Sequence, residues 1–153
     1  MKNAPTSKDE SAPDKRDYTL GKRPARTNTV TAAVLAMMLE SKKITGMEAV
    51  FNQCTTRLAA VIEYLERKYD WKIERRDIAV DTKDGRIAWI TIYWLPQQSI
   101  STAFEAGARE WIDKVKVARI ERRKQAGKCK ASAAIKNAAR NQDPRQGKLW
   151  GDA

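Results

Sequence analysis

The sequence lacks the residues on which catalysis and metal binding most often depend. It contains no histidine in 153 residues, no glycine-rich phosphate-binding loop and no carboxylates grouped beside a nucleophile, so nothing in it meets the geometric requirements of an active site. Its two cysteines, Cys54 and Cys129, lie far apart, and a zinc site needs more good ligands than these two. We therefore predict a protein that is not an enzyme and holds no cofactor or metal, with Cys54 buried and Cys129 exposed.

Long apolar runs are also absent. A membrane-spanning helix requires a predominantly apolar stretch of about 20 residues, and the sequence has no such stretch. The N-terminus lacks the apolar stretch of a secretory signal. We therefore predict a cytoplasmic protein that makes no membrane contact.

Positive charge, in contrast, is abundant and unevenly distributed. The formal net charge is +11. Residues 1–28 carry seven basic and four acidic groups, residues 29–100 carry ten and nine, and residues 101–153 carry thirteen and six. A nearly neutral centre with basic extensions indicates a polyanionic partner that is held partly by the extensions. The alternative is that the excess charge only keeps a small protein soluble.

The first part of the chain changes from a polar leader to helical patterns. Residues 1–28 are rich in Lys, Asp, Ser and Pro and show no hydrophobic period, which predicts a disordered basic arm. From Thr29, apolar residues recur at helical spacing and predict a first helix that ends near Ser41.

A capping box marks a second helix. Thr45 is followed three residues later by Glu48, a pattern in which each side chain bonds an unpaired amide of the first helical turn. The predicted helix is short and ends near Phe51. Met47 and Val50 are expected to face the core.

A polar turn and a longer helix come next. Residues 52–54 predict the turn, and Thr55 or Thr56 can cap a third helix that ends near Tyr69. The residues expected to face inward on this helix are Leu58, Val61, Ile62 and Leu65.

The pattern then changes to that of a β-hairpin. Alternation begins at Trp71, and Asp84 and Gly85 form a strong turn signal because both tolerate positive φ. The β-branched and aromatic run that follows predicts a second strand, which Pro96 ends. Three helices followed by a hairpin is the order of a winged helix-turn-helix domain, predicted here for residues 29–96. The predicted fold class is mainly α with a β-hairpin wing.

The C-terminal third predicts an amphipathic basic helix over residues 101–125 and a basic flexible tail over residues 126–153. Ser101 or Thr102, with Glu105, gives the helix start. The apolar face of this helix can pack on the winged domain, dock on another protein or form a homodimer. Its residues are Phe104, Ala108, Trp111, Ile112 and Val115.

The helix pair predicts which residues meet DNA. In a helix-turn-helix the second helix enters the major groove, and its N-terminal side chains contact base edges. Arg pairs with guanine, Gln with adenine, and Thr contacts a thymine methyl group. The predicted base contacts are Gln53, Thr55, Thr56, Arg57 and Ala60. The predicted phosphate contacts are Lys43, Tyr64, Arg67, Lys68, Lys83, Arg86, Arg119, Arg122, Arg123 and Lys124.

Three segments carry a resemblance to a known family: residues 43–50, 56–59 and 68–75. They resemble the winged helix-turn-helix domain of small phage and prophage proteins, in which a Thr/Ser-x-Met-Asp/Glu-Ala helix precedes a Thr-Arg-Leu-Ala helix and a Gly/Asp-Trp-x-Ile strand opens the wing. The resemblance covers under half of the chain. It implies double-stranded DNA binding in gene regulation or phage replication, in the cytoplasm or nucleoid of a bacterial host, with Arg57 starting the recognition helix. The basic helix after the wing departs from the family pattern.

Two other functions stay open. The nearly neutral core favours a protein-interaction module that binds a host or phage factor, and the basic tail favours RNA or single-stranded DNA binding. The surface of the third helix distinguishes DNA binding from protein binding, because a positive face is typical of DNA binding and a mixed or apolar face is typical of protein binding.

Overall fold

A computed structural model describes residues 20–142 and has mixed α and β structure. Within this range six helices surround or extend from a core, and three short strands form one antiparallel sheet. The elements are α1 (Val30–Leu39), β1 (Ile44–Thr45), α2 (Gly46–Gln53), α3 (Leu58–Tyr69), β2 (Glu74–Asp81), β3 (Ile87–Trp94), α4 (Gln97–Glu105), α5 (Ala108–Lys124) and α6 (Ala126–Asn141).

Helix α1 forms the centre of the core. Its sequence is almost entirely apolar, and seven of its ten residues are buried. Thr29 caps the helix, since its side chain accepts a hydrogen bond from the amide of Ala32. Helices α2, α3 and α5 all pack against it, so the helix predicted to begin at Thr29 is confirmed and is the common partner of the others.

Helix α2 has the predicted capping box but a different inward face. Thr45 accepts from the amide of Glu48, whose carboxylate accepts from the amide of Thr45 at 2.9 Å. The prediction that Met47 and Val50 face inward is wrong, because Met47 is 61% exposed and Val50 is also exposed. The small side chain of Ala49 is buried instead, which lets the helix approach α1 closely.

The turn after α2 also differs from the prediction. Residues 52 and 53 belong to the helix, and Cys54 ends it in the left-handed conformation with φ of 55°. The side chain of Cys54 is exposed, so the expectation of a buried thiol is wrong, whereas Cys129 is exposed as expected. The apolar pattern alone did not indicate a helix end at a cysteine with positive φ.

Helix α3 begins one to two residues later than the threonine caps predict. Its N-cap is Arg57, which makes no side-chain cap hydrogen bond. The hydroxyl of Thr55 accepts from the amide of Arg57 at 3.1 Å and so shapes the turn rather than the helix start. Leu58, Ile62 and Leu65 are buried as expected.

The predicted hairpin is confirmed. Strands β2 and β3 pair from Glu74 opposite Trp94 to Asp81 opposite Ile87, and β1 pairs with the other edge of β3. The strand order is β1-β3-β2, with β3 in the middle. Gly85 takes a φ of 80° in the loop, a conformation that glycine adopts without strain.

The single helix predicted over residues 101–125 is two helices. Helix α4 begins right after Pro96, because proline has no amide hydrogen to leave unpaired and its fixed φ suits a helix start. Gly107, with a φ of 86°, then separates α4 from α5. The Ser101 and Thr102 start signals therefore lie inside α4.

Helix α5 is part of the core, so its apolar face is covered within the chain and is not available for the homodimer that was one of the three alternatives. Ala108, Ile112 and Val115 are buried, and Phe104 and Trp111 are half-buried against the same cluster. Their partners are core residues of the same chain, above all those of α1. Of the three alternatives, the structure shows packing of this face on the preceding part of the chain.

The segment just before α1 is packed although it has no helix or strand. Gly21 and Pro24 are buried, and the amide of Lys22 donates to the carbonyl of Tyr69 at 2.7 Å. Order therefore begins before Thr29. The rest of the predicted arm, residues 1–19, lies outside the described residues, as do residues 143–153 of the predicted tail.

Helix α6 occupies the described part of that tail and has no buried residue. Among the described helices and strands, its main packing partner is α5. No helix in residues 20–142 is long and apolar enough to cross a membrane.

Candidate nucleic-acid interface

The start of α3 presents polar and small side chains to solvent. Thr56 and Arg57 precede the helix and are exposed, and Ala60 is exposed one turn later. The opposite side of the helix is fixed by Leu58 and Ile62 in the core. Thr55 is half-buried, and its hydroxyl accepts the hydrogen bond from the amide of Arg57 within the turn. Of the predicted base contacts, Thr56, Arg57 and Ala60 are therefore accessible together.

Gln53 is not accessible. It is 5% exposed, its amide nitrogen donates to the sulfur of Met37, and its amide oxygen accepts from Arg119. Both ends of the side chain are thus bound inside the protein. The prediction of a base contact is wrong, because Gln53 lies on the buried face of α2 and not in an exposed turn.

Two predicted phosphate contacts on α5 are engaged within the chain. The guanidinium of Arg119 donates to the side chain of Gln53 and to the carbonyl of Asn52. Burial lowers the pKa of Arg119, and the positive charge of Arg123 adds to this effect. Arg122 donates to the carbonyl of Asn28. Two of the five N–H groups of Arg119 are thereby bound inside the chain, so Arg119 anchors α5 to the end of α2 and is not a free phosphate contact.

The remaining cations of α5 stay at the surface. Arg123 and Lys124 are exposed, and Lys124 lies 2.8 Å from the carboxylate of Glu121. From Arg119 to Arg140 the sequence carries eight basic residues and one acidic residue. The end of α5 and the whole of α6 therefore form a basic helical extension.

The later turns of α3 have a mixed surface. Arg67 forms an exposed ion pair with Glu63 at 4.0 Å, and Lys68 donates to the hydroxyl of Tyr64 at 2.7 Å. This hydrogen bond lowers the pKa of Tyr64 and raises the pKa of Lys68. Lys68 therefore stays charged, and only part of this face is positive.

The hairpin tip carries two exposed cations, Lys83 and Arg86. Arg86 donates to the carboxylate of Asp84 at 2.7 Å. Hydrogen bonds from Thr82 and then from Arg86 lower the pKa of Asp84, so the tip keeps one net positive charge. At the other edge of the sheet, the exposed Lys43 lies over the ring of Trp94, 5.3 Å from its centroid.

Sequence reasoning missed two exposed apolar residues on the hairpin. Ile87 and Trp89 point to the same side of β3 and are 75% and 72% exposed. Every residue of this strand except Thr91 is apolar, so its pattern does not distinguish the exposed face from the covered one. Only the burial of individual side chains in the folded sheet separates them.

Within residues 20–142 no group of three or more Cys, Asp and Glu side chains could hold a metal ion. The accessible side chains among the predicted DNA contacts are mainly those of arginine, lysine and threonine, groups that can contact phosphates and bases.

Comparisons with protein-family models, with curated proteins and with solved structures found no match to this chain. Function is therefore inferred from the residues and their geometry.

Proposed function

We propose that this chain is a winged-helix protein that binds double-stranded DNA with sequence preference. The observation that carries the proposal is the exposure of Thr56, Arg57 and Ala60 at the start of a helix whose other face is buried. A helix that enters a major groove needs this combination of exposed side chains at its N-terminal end and an opposite face that is fixed in the core. The element order, with a hairpin after α3, supports the same interpretation.

Each exposed residue has a role that its chemistry supports. Arg57 donates two hydrogen bonds to a guanine edge, and the methyl group of Thr56 contacts a thymine methyl group. Ala60 leaves room for the helix backbone to approach the bases. Lys83 and Arg86 at the hairpin tip contact phosphates beside the site, which positions the domain but carries no sequence information.

The basic extension supplies affinity that does not depend on sequence. Arg123, Lys124 and the four basic residues of α6 are exposed cations at the periphery of the core. If about six of them contact phosphates, the logarithm of the binding constant falls with the logarithm of salt concentration with a slope of about −5.

A second candidate function, protein binding, is favoured by one specific observation. Met47 and Val50 are exposed on α2 beside a groove of about 420 Å³ between α2, the start of α3 and β3. Together with the mixed surface around Glu63, this groove suits an apolar segment of a partner protein.

Selection of bound duplexes from a random pool tests the first proposal. With the full-length protein we expect an enriched motif. Arg57→Gln should weaken binding to the motif by about 1–3 kcal/mol and relax the preference at one base pair.

The matched control is Arg67→Gln, which removes the same charge near the other end of α3. We expect this variant to weaken all duplexes alike. If both variants lose affinity equally for every duplex, Arg57 contacts a phosphate and not a base. Absence of an enriched motif would contradict sequence-preferring DNA binding and leave protein binding as the candidate.

A further inference from the structure

A groove lies where α5 crosses α1 and the end of α2. Its volume is about 620 Å³, within the range of roughly 300–1,000 Å³ typical of small-molecule sites. Ala33, Ala36 and Met37 of α1 line it from one side and Ile120 of α5 from the other. A second cavity of about 310 Å³ adjoins it, and Arg119 lines both. The groove therefore has an apolar floor long enough for a small organic molecule.

The rim of this groove is cationic. Its charged residues are Lys42, Lys43, Lys116, Arg119, Arg123, Glu40 and Glu48. Both carboxylates are already engaged: Glu40 pairs with two of the lysines, and Glu48 caps α2. Burial alone would raise the pKa of Glu40, but the hydrogen bond and charge of Lys116, with a smaller contribution from Lys42, lower it. Glu40 thus stays ionised and paired with these two lysines.

Two arginines of the rim lack a compensating charge. Arg119 and Arg123 lie one helical turn apart and have no carboxylate partner within the described part of the chain. The acceptors of Arg119 are both neutral, and burial together with the charge of Arg123 lowers its pKa. A partly desolvated guanidinium beside a second one is stabilised by an anion, which can accept from both.

We propose that this groove binds a small organic carboxylate with an apolar body. The carboxylate is held by Arg119 and Arg123, and the apolar body lies on Ala33, Ala36 and Ile120. Because Arg119 also holds the carbonyl of Asn52 and the side chain of Gln53, a ligand at this position acts directly on the C-terminal end of α2. The site is separate from the exposed start of α3 and does not depend on DNA binding.

Isothermal titration calorimetry of the full-length protein with octanoate tests the proposal. Octanol and acetate are the reference probes, since the first keeps the apolar body and the second keeps the carboxylate. We expect one saturable octanoate site and binding at least about tenfold weaker for either reference. No saturable octanoate binding, or octanol binding of equal strength, would overturn the proposal.

Variants locate the site. Arg123→Gln removes an exposed cation of the rim and should weaken octanoate about tenfold. Lys114→Gln removes the same charge from an exposed position of α5 that lines neither cavity, and it should leave octanoate binding unchanged. Ile120→Ser, also at an exposed position, should weaken octanoate but not acetate. Circular dichroism checks that each variant is folded, and equal losses for Arg123→Gln and Lys114→Gln would refute the site.

Discussion

Two tryptophans attach the segment before α1 to the folded core. The indole nitrogen of Trp71 donates to the carbonyl of Lys22 at 2.7 Å, and that of Trp111 donates to the carbonyl of Pro24 at 3.0 Å. An indole N–H that is removed from solvent needs an acceptor, and the backbone carbonyls of this segment supply one for each tryptophan. Residues 20–28 are therefore part of the domain, although their composition resembles that of the polar leader.

Gly21 is the tightest point of this attachment. A Cβ atom at this position would lie 2.3 Å from the ring of Trp71, which is almost fully buried. We expect Gly21→Ala to destabilise the protein by about 1–3 kcal/mol, because the rigid ring or the backbone must move. Urea denaturation followed by circular dichroism measures the change.

The control for this variant is Gly46→Ala. No atom lies within 4 Å of a Cβ added there, and alanine favours a helix over glycine. The control should be as stable as the wild type or slightly more so. Equal stability of Gly21→Ala and the wild type would contradict the packing of this segment on Trp71.

Among the helices and strands, sequence patterns predicted correctly those features that depend on residues close together in the chain. The capping box at Thr45, the start of α1 at Thr29 and the hairpin around Gly85 depend on residues close in sequence, and all three are present. The inward face of α2 depends instead on which neighbour packs against it. Gln53 is buried between Met37 of α1 and Arg119 of α5, the second of which lies 66 residues away in sequence, and no short-range pattern contains that information.

The boundary between α4 and α5 is a second case. The apolar spacing of the C-terminal third continues across Gly107, so periodicity predicted one helix. The conformation of Gly107 turns the chain, and α5 then packs on α1 with Ile112 and Val115. A glycine within a helical pattern is the sequence signal for this boundary.

Gly107→Ala tests the importance of this turn. Alanine at a φ of 86° is strained even though no atom lies within 4 Å of the added Cβ, and we expect a loss of about 1–2 kcal/mol in stability. Gly127→Ala in α6 is the control, because it also adds a methyl group into open space but at an ordinary helical φ. Thermal denaturation should show a lower midpoint for the first variant alone, and equal midpoints would contradict the account.

The whole molecule separates a neutral core from basic extensions. Residues 29–100 carry a net charge of +1, whereas residues 101–153 carry +7. The charge distribution predicted this division. In the structure the core continues past residue 100, since α4 and most of α5 belong to it and only the end of α5 and α6 extend beyond it. Under the proposed function, sequence preference and general affinity belong to different parts of one chain.

Binding of a selected duplex and of a random duplex across a salt series, by the full chain and by a chain ending at Gln125, tests this division most directly. The shorter chain keeps every described buried residue, since none lies in α6, but loses six basic residues. We expect its salt dependence to be shallower by up to about 5 units of slope, while the ratio of selected to random affinity is unchanged. A ratio that falls to one without residues 126–153 would contradict sequence recognition by α3.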